Sequence, residues 1–168
     1  MITIVASKKN KKNTLMEQMM VLSDIRTSLM NDDIAKSICE ENDMGGWFLK
    51  SVPISFDKIK VAAKTINGKI ILNPKLIKKP FKIIMRYVIH ELVHAIQHIE
   101  DFGKKQDDKD DDYLDRDDEI EAFQRQIEYD SKTRGLDEAE KYVDNLLEYH
   151  DIPKSKVEEK KSEFMERV

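Results

Sequence analysis

Apolar positions change their spacing along this chain, and each change marks an element. Leu15, Met19, Leu22, Ile25 and Leu29 recur at helical intervals behind Thr14 and Glu17, a Thr-x-x-Glu capping box. An amphipathic helix is therefore predicted over about residues 14–30, with its Met-rich stripe in the core. Ile34 and Ile38 predict a second helix from Asp33 to Asp43, stopped by Gly45-Gly46. The period then drops to two. Ile59, Val61, Ala63 and Thr65 alternate with Lys60, Ala62 and Lys64, and Asn67-Gly68, a dipeptide suited to a two-residue hairpin, leads into Lys69-Ile-Ile-Leu72. Two antiparallel strands are expected, with residues 69–73 as an edge.

Pro80 can open a helix without losing a needed N–H, and no Gly or Pro follows until Gly103, so a helix is predicted over 81–102. From Ile83 to Ile99 it is apolar on almost every side, interrupted by Arg86, His90, Glu91, His94, Gln97 and His98. A helix of that kind is buried. Ile120, Phe123 and Ile127 mark another helix ending at Arg134-Gly135, and Asp137 with Glu140 caps a further one bearing Tyr142, Val143, Leu146 and Leu147. A charged helix is expected over 155–168. The fold class is α+β: a small antiparallel sheet with the Asn-Gly hairpin packed on a buried helix, surrounded by further helices. A single domain over 1–168 is expected, beginning with a helical segment over 14–43.

Composition narrows the function classes. With 40% apolar and 37% charged residues the chain is too apolar for general disorder. The lone Cys39 excludes a disulfide framework and cysteine-rich zinc sites, leaving His and carboxylates as metal ligands. The apolar start is shorter than a signal sequence needs and its lysines follow it, and no run approaches the ~18 apolar residues of a membrane span. A cytoplasmic protein without membrane contact is expected. Charge is uneven: Lys50–Arg86 carries a net +9 and Asp101–Glu121 a net −7. The basic stretch reads as lysines protecting exposed strands, so nucleic acid is not expected as a partner; a protease recruited to DNA through it would bind with steep salt dependence. The run Asp107–Asp112 reads as a solvated, mobile loop.

The chemistry sits in His90-Glu91-Leu92-Val93-His94. On a helix, residues four apart share a face, so both imidazoles can reach one metal ion. Glu91 would stand beside a metal-activated water, close enough to take its proton as general base without being a ligand. Two imidazoles and a carboxylate in an apolar helix would otherwise be buried unsatisfied, which is costly. Zinc suits two neutral imidazoles plus an oxygen ligand. A third ligand is needed. His98 lies about 6 Å along the axis from His94 in a straight helix, too far to share its metal. Glu119 and Glu121 open the next helix, and two crossing helices can bring one of them to the metal.

His90-Glu91-x-x-His94 followed by Glu119-Ile-Glu-Ala122 resembles the gluzincin metallopeptidases, whose downstream Glu-x-x-Ala/Ser helix supplies the third ligand. The resemblance spans about residues 59–130. Among small members it is similar to the mini-gluzincins and the ImmA/IrrE-type peptidases, which also carry a His four residues after the motif, here His98. It implies a zincin-like fold, Glu119 as the third ligand, and Ala122 as the small residue that lets the helices approach. Glu121 would then join Arg125 and Glu128 on a solvated face. Phe123 stands where thermolysin-like members place an Asp that orients the first His, and the tail that follows Glu-Ala-Asn in ImmA/IrrE proteins is absent.

The expected activity is zinc-dependent hydrolysis of a peptide or protein substrate that pairs with the edge strand. Tyr129, Tyr142, Tyr149 and His150 are candidates for stabilising the oxyanion. Two rival readings compete. Asp108, Asp110, Asp112 and Glu119 fall at positions 1, 3, 5 and 12 of a calcium loop, although Tyr113 replaces the Gly of position 6 and Asp115 the apolar residue of position 8. Alternatively, zinc could merely stabilise a non-enzymatic interaction protein, a role that would leave Glu91 without a purpose.

Overall fold

A computed structural model describes residues 2–100 and 110–168, with side chains described from Thr14 to Ile99 and from Tyr113 onward. Helix α1 runs over Ile2–Asn31 as one piece. Thr14 is therefore an interior residue and its capping box does not start the helix, because a cap requires a non-helical residue and here the helix continues on both sides. Ile25 and Leu29 are fully buried, whereas Leu15, Met16, Met19 and Met20 are exposed. The expected Met-rich core stripe is thus core only in its later turns; apolar spacing does not reveal how far a partner surface extends along a helix. Asp32 caps α2 (Asp33–Glu41) by accepting from the Ala35 amide at 2.9 Å. A short helix α3 (Trp47–Ser51), not foreseen, ends on Arg26, which donates to the carbonyls of Leu49 (2.8 Å) and Val52 (2.6 Å).

The sheet has three strands, β1 (Ile54–Phe56), β2 (Ala63–Ile66) and β3 (Lys69–Leu72), in the order β1-β3-β2. Asn67 and Gly68 both take positive φ, as the tight turn between β2 and β3 requires. β1 pairs with β3 in parallel, so the sheet is mixed, not antiparallel. Three residues are too few to show a period, which hid β1. Its pairing also moves β3 to the centre and leaves β1 and β2 as the edges, correcting the assignment of 69–73. The alternation from Ile59 to Ala62 is a loop: Asn73 Nδ2 donates to the carbonyls of Ile59 (2.8 Å) and Val61 (3.1 Å), supplying bonds that a strand would have taken from a neighbour.

After a 3₁₀ turn at Pro74–Lys78, α4 (Phe81–Glu100) buries Ile84, Met85, Val88, Ile89, Leu92, Val93, Ala95 and Ile96 beneath the sheet and α1–α3. A second 3₁₀ turn, Asp110–Asp115, leads into α5 (Asp117–Arg134), which places three acids in its first turn, where the helix dipole favours them, and stops at Gly135 with φ 99°. Of the predicted loop Asp107–Asp112, residues 107–109 lie outside the described residues and 110–112 belong to the second 3₁₀ turn. α6 (Leu136–Tyr149) starts on Gly135, so Asp137 sits in its first turn and is not the cap. α7 (Lys154–Phe164) ends short of the expected 168 and is anchored by the fully buried Phe164. α5 is the shared wall of two apolar clusters: Ala122 and Tyr129 join the one under α4, and Phe123 and Ile127 join the one with Leu114, Val143, Leu147 and Phe164. Among the described residues no helix is long and apolar enough to cross a membrane.

Candidate metal centre

Helix α4 carries His90 and His94 one turn apart on the face turned to α5, and fully buried Ala122 leaves room for the two helices to meet. The first turn of α5 aims Glu119 between the imidazoles. His90 Nε2 and His94 Nε2 are 3.2 Å apart, and Glu119 Oε2 is 3.3 Å from each. All three residues are buried, and their donor atoms converge on one point that could hold a metal ion.

Electrostatics follow from that convergence. Burial opposes the charged form of Glu119, but the two imidazoles overcome it and hold the carboxyl well below the usual carboxylate range. Burial likewise opposes a charged His94, and the hydrogen bond and charge of Glu119, with help from Glu91 and Gln97, raise its pKa to about 9. A single proton can bridge only one pair of the three atoms at a time, whereas a metal ion can bond all three. In keeping with this, Glu119 Oε2 has no well-formed hydrogen-bond partner despite complete burial.

The surroundings form a cleft of ≈300 Å³ between the sheet edge and α5. On its sheet side Thr65 of β2 donates to Glu91 Oε2 at 2.7 Å and lies 3.1 Å from the Glu91 carbonyl oxygen, fixing the carboxylate beside the imidazoles. On the opposite side stand Tyr113 and Arg116. Burial, then the charges of Glu119 and Glu91, push the Tyr113 hydroxyl's ionisation above the ordinary tyrosine range. Arg116 is held by both carboxylate oxygens of Asp118, at 3.1 and 2.6 Å. His98 lines the cleft but contributes no atom to the convergent group.

Glu121 contributes no atom to the convergent group and accepts from Gln97 Nε2 at 3.1 Å. It does not share a solvated face with Arg125. That guanidinium is buried and ties α5 to α2 through Ser37 (3.1 Å) and Glu41 (2.5 Å), a contact that local spacing could not disclose. Of the four residues considered for an oxyanion, none lines the cleft. Tyr129 is core, Tyr142 lies against Arg86, Tyr149 is exposed, and His150 stacks on the Tyr113 ring with centroids 5.5 Å apart. Tyr113, taken from the sequence only as a misfit in a calcium loop, lines the cleft instead. Phe123 packs edge-on against His90 at 4.6 Å, and His90 Nδ1 is buried without a partner. Of the proposed calcium loop, Asp108 and the side chains of Asp110 and Asp112 lie outside the described residues, while Glu119 is turned to the imidazoles.

Comparison with protein-family models, with curated proteins and with solved structures returned no match.

Proposed function

We propose that this chain is a zinc-dependent peptide hydrolase of the gluzincin kind, zincin-like in fold, with His90, His94 and Glu119 holding the metal and Glu91 serving as general base. The observation that carries the reading is the spacing of the three donor atoms, 3.2–3.3 Å, with an ordered carboxylate alongside. Ligands at zinc bond lengths of about 2.0–2.1 Å in a tetrahedron stand ~3.3 Å from one another. Two imidazoles with one carboxylate favour zinc over calcium or magnesium, which take oxygen ligands.

When bound, zinc supplies Lewis acidity, making a water nucleophilic near neutral pH and polarising a carbonyl. The protein's residues do the rest. Glu91 keeps one oxygen on Thr65 and has the other available for the proton that water loses as its oxygen bonds to the carbonyl carbon. It then passes that proton to the amine nitrogen as the C–N bond breaks. Tyr113 can offer its hydroxyl to the oxyanion. The open side of β2 offers main-chain donors and acceptors to an extended peptide, sequence-tolerantly, in the cleft that Thr65 and Ala63 line.

The test is hydrolysis of fluorescein-labelled casein by the zinc-loaded chain. The Glu91→Gln variant should retain zinc and the fold and lose at least ~10²-fold in rate. A Glu91→Gln protein that cleaves casein like the wild type contradicts the mechanism.

A further inference from the structure

Gln97 has a fixed orientation in this fold, and the consequence reaches the candidate metal centre. Its Nε2 lies 3.1 Å from Glu121 Oε2 and 3.3 Å from the Asp118 carbonyl oxygen, both near the start of α5. Each of those atoms can only accept, so the amide nitrogen must face them; turning the amide over would set its oxygen against a carboxylate and a carbonyl. Gln97 Oε1 therefore faces His94 Nδ1, at 2.8 Å. An oxygen that accepts at that distance requires an N–H on Nδ1. Neutral His94 is thereby left with its lone pair on Nε2, the atom that meets His90 and Glu119. His90 has no such device: its Nδ1 is unpartnered, and its ring is set by packing against Phe123.

We infer that Glu121 and Gln97 form a positioning relay that fixes the tautomer and ring orientation of His94 for metal binding. One turn of α5 then acts on the centre through two arms, Glu119 directly and Glu121 through Gln97. The inference rests on the metal-centre reading above but not on the peptidase activity. It gives Glu121, a rival for the third ligand on sequence grounds, a separate role.

The experiment is calorimetric titration of the full chain with zinc chloride near neutral pH. Gln97→Leu should weaken binding about 10- to 100-fold, and Glu121→Leu about three- to tenfold, since Asp118 still holds the amide. The exchange variant Gln97→Glu/Glu121→Gln keeps the net charge and an acceptor on His94 Nδ1 but loses the contact with the Asp118 carbonyl, and it should bind zinc more tightly than Gln97→Leu. Thermal unfolding of the metal-free proteins should change little, which separates positioning from general destabilisation. Wild-type affinity in Gln97→Leu overturns the relay, as does an exchange variant no better than Gln97→Leu. Complete loss of binding in Glu121→Leu, equal to that of His94→Ala, makes Glu121 a ligand and also overturns it. If Gln97→Leu does not fold, Glu121→Leu and the exchange variant decide the matter. A wild-type chain without zinc affinity overturns the metal centre and the relay together, an outcome distinct from the others.

Discussion

Two buried polar clusters lie on the same pair of helices, and they solve the problem of a buried carboxylate differently. Arg86 precedes His90 by one turn of α4 and meets Asp130 of α5 at 3.2 Å, while Arg134 Nη1 stands 3.9 Å from the same carboxylate oxygen. The Arg86 guanidinium also sits over the ring of Tyr142, 4.5 Å from its centroid, and near that of Tyr87 at 5.1 Å. Asp130 has no exposed surface at all; burial raises its pKa, and Arg86 and Arg134 work against that with charges that stay protonated at every physiological pH. At the other end, Glu119 faces two imidazoles whose charge depends on a proton. The Arg86 cluster brings its own cation; the Glu119 cluster must take one up. That difference separates a structural ion pair from a candidate metal centre where burial and residue count do not.

Changes to the convergent triad should have the largest effect. His90→Ala, His94→Ala or Glu119→Gln should abolish the rise in thermal stability that zinc gives the wild type, a rise worth ~4 kcal/mol at a metal concentration about 1,000 times Kd. The same measurement on Arg86→Leu should show zinc stabilisation intact. Removing Arg86 should instead cost about 3 kcal/mol without metal, because Asp130 is left buried against the weaker, more distant contact of Arg134. Adding Asp130→Leu should recover much of that loss, as replacing both members of a buried pair by apolar residues often does. Urea unfolding of the single and double variants checks both statements.

A smaller contrast appears with pH. The pKa of His94 is raised, chiefly by Glu119 working against burial, to about 9 in the metal-free protein, so its contribution to stability is complete below its unfolded value near 6.5 and is lost as pH rises through 9. Glu119 is depressed, and its contribution is present above about 4.5 and lost as pH falls. Metal-free protein should therefore lose thermal stability between pH 6.5 and 9. Zinc-loaded protein should not, since the metal replaces the proton, and apparent zinc affinity should climb over the same interval. The Arg86 cluster contributes nothing to this trend, so an equal decline with and without zinc would place its origin outside the triad.

The sequence revealed these regions unequally, for reasons of range. His90 and His94 are fixed relative to each other by helical spacing, and an apolar helix interrupted by them reads as buried wherever it packs. Glu119 stands beyond a gap that no local rule spans; only the resemblance to a known family singled it out from Glu121. The hairpin was legible from Asn67-Gly68, but a hairpin does not say which strand gains a third neighbour, and β1 reversed the edge. Thr65 and Tyr113 reach the site through tertiary approach alone. Gln97 stood in the sequence only as one polar interruption of an apolar helix; its contacts to His94 and to α5 need both helices in place. Arg125 illustrates the opposite error: a local Glu128 partner suggested a solvated face, while Glu41, far away in the chain, buries it.

The most direct test is X-ray absorption at the zinc edge on the stoichiometrically loaded chain. A shell of nitrogen and oxygen ligands at about 2.0–2.1 Å, with the outer-shell scattering of two imidazoles, is the predicted spectrum. The imidazole signal should fall by half in His94→Ala if any metal remains. A wild-type chain that retains no zinc, or a shell of oxygen ligands without imidazole scattering, would contradict a metal centre built from His90, His94 and Glu119.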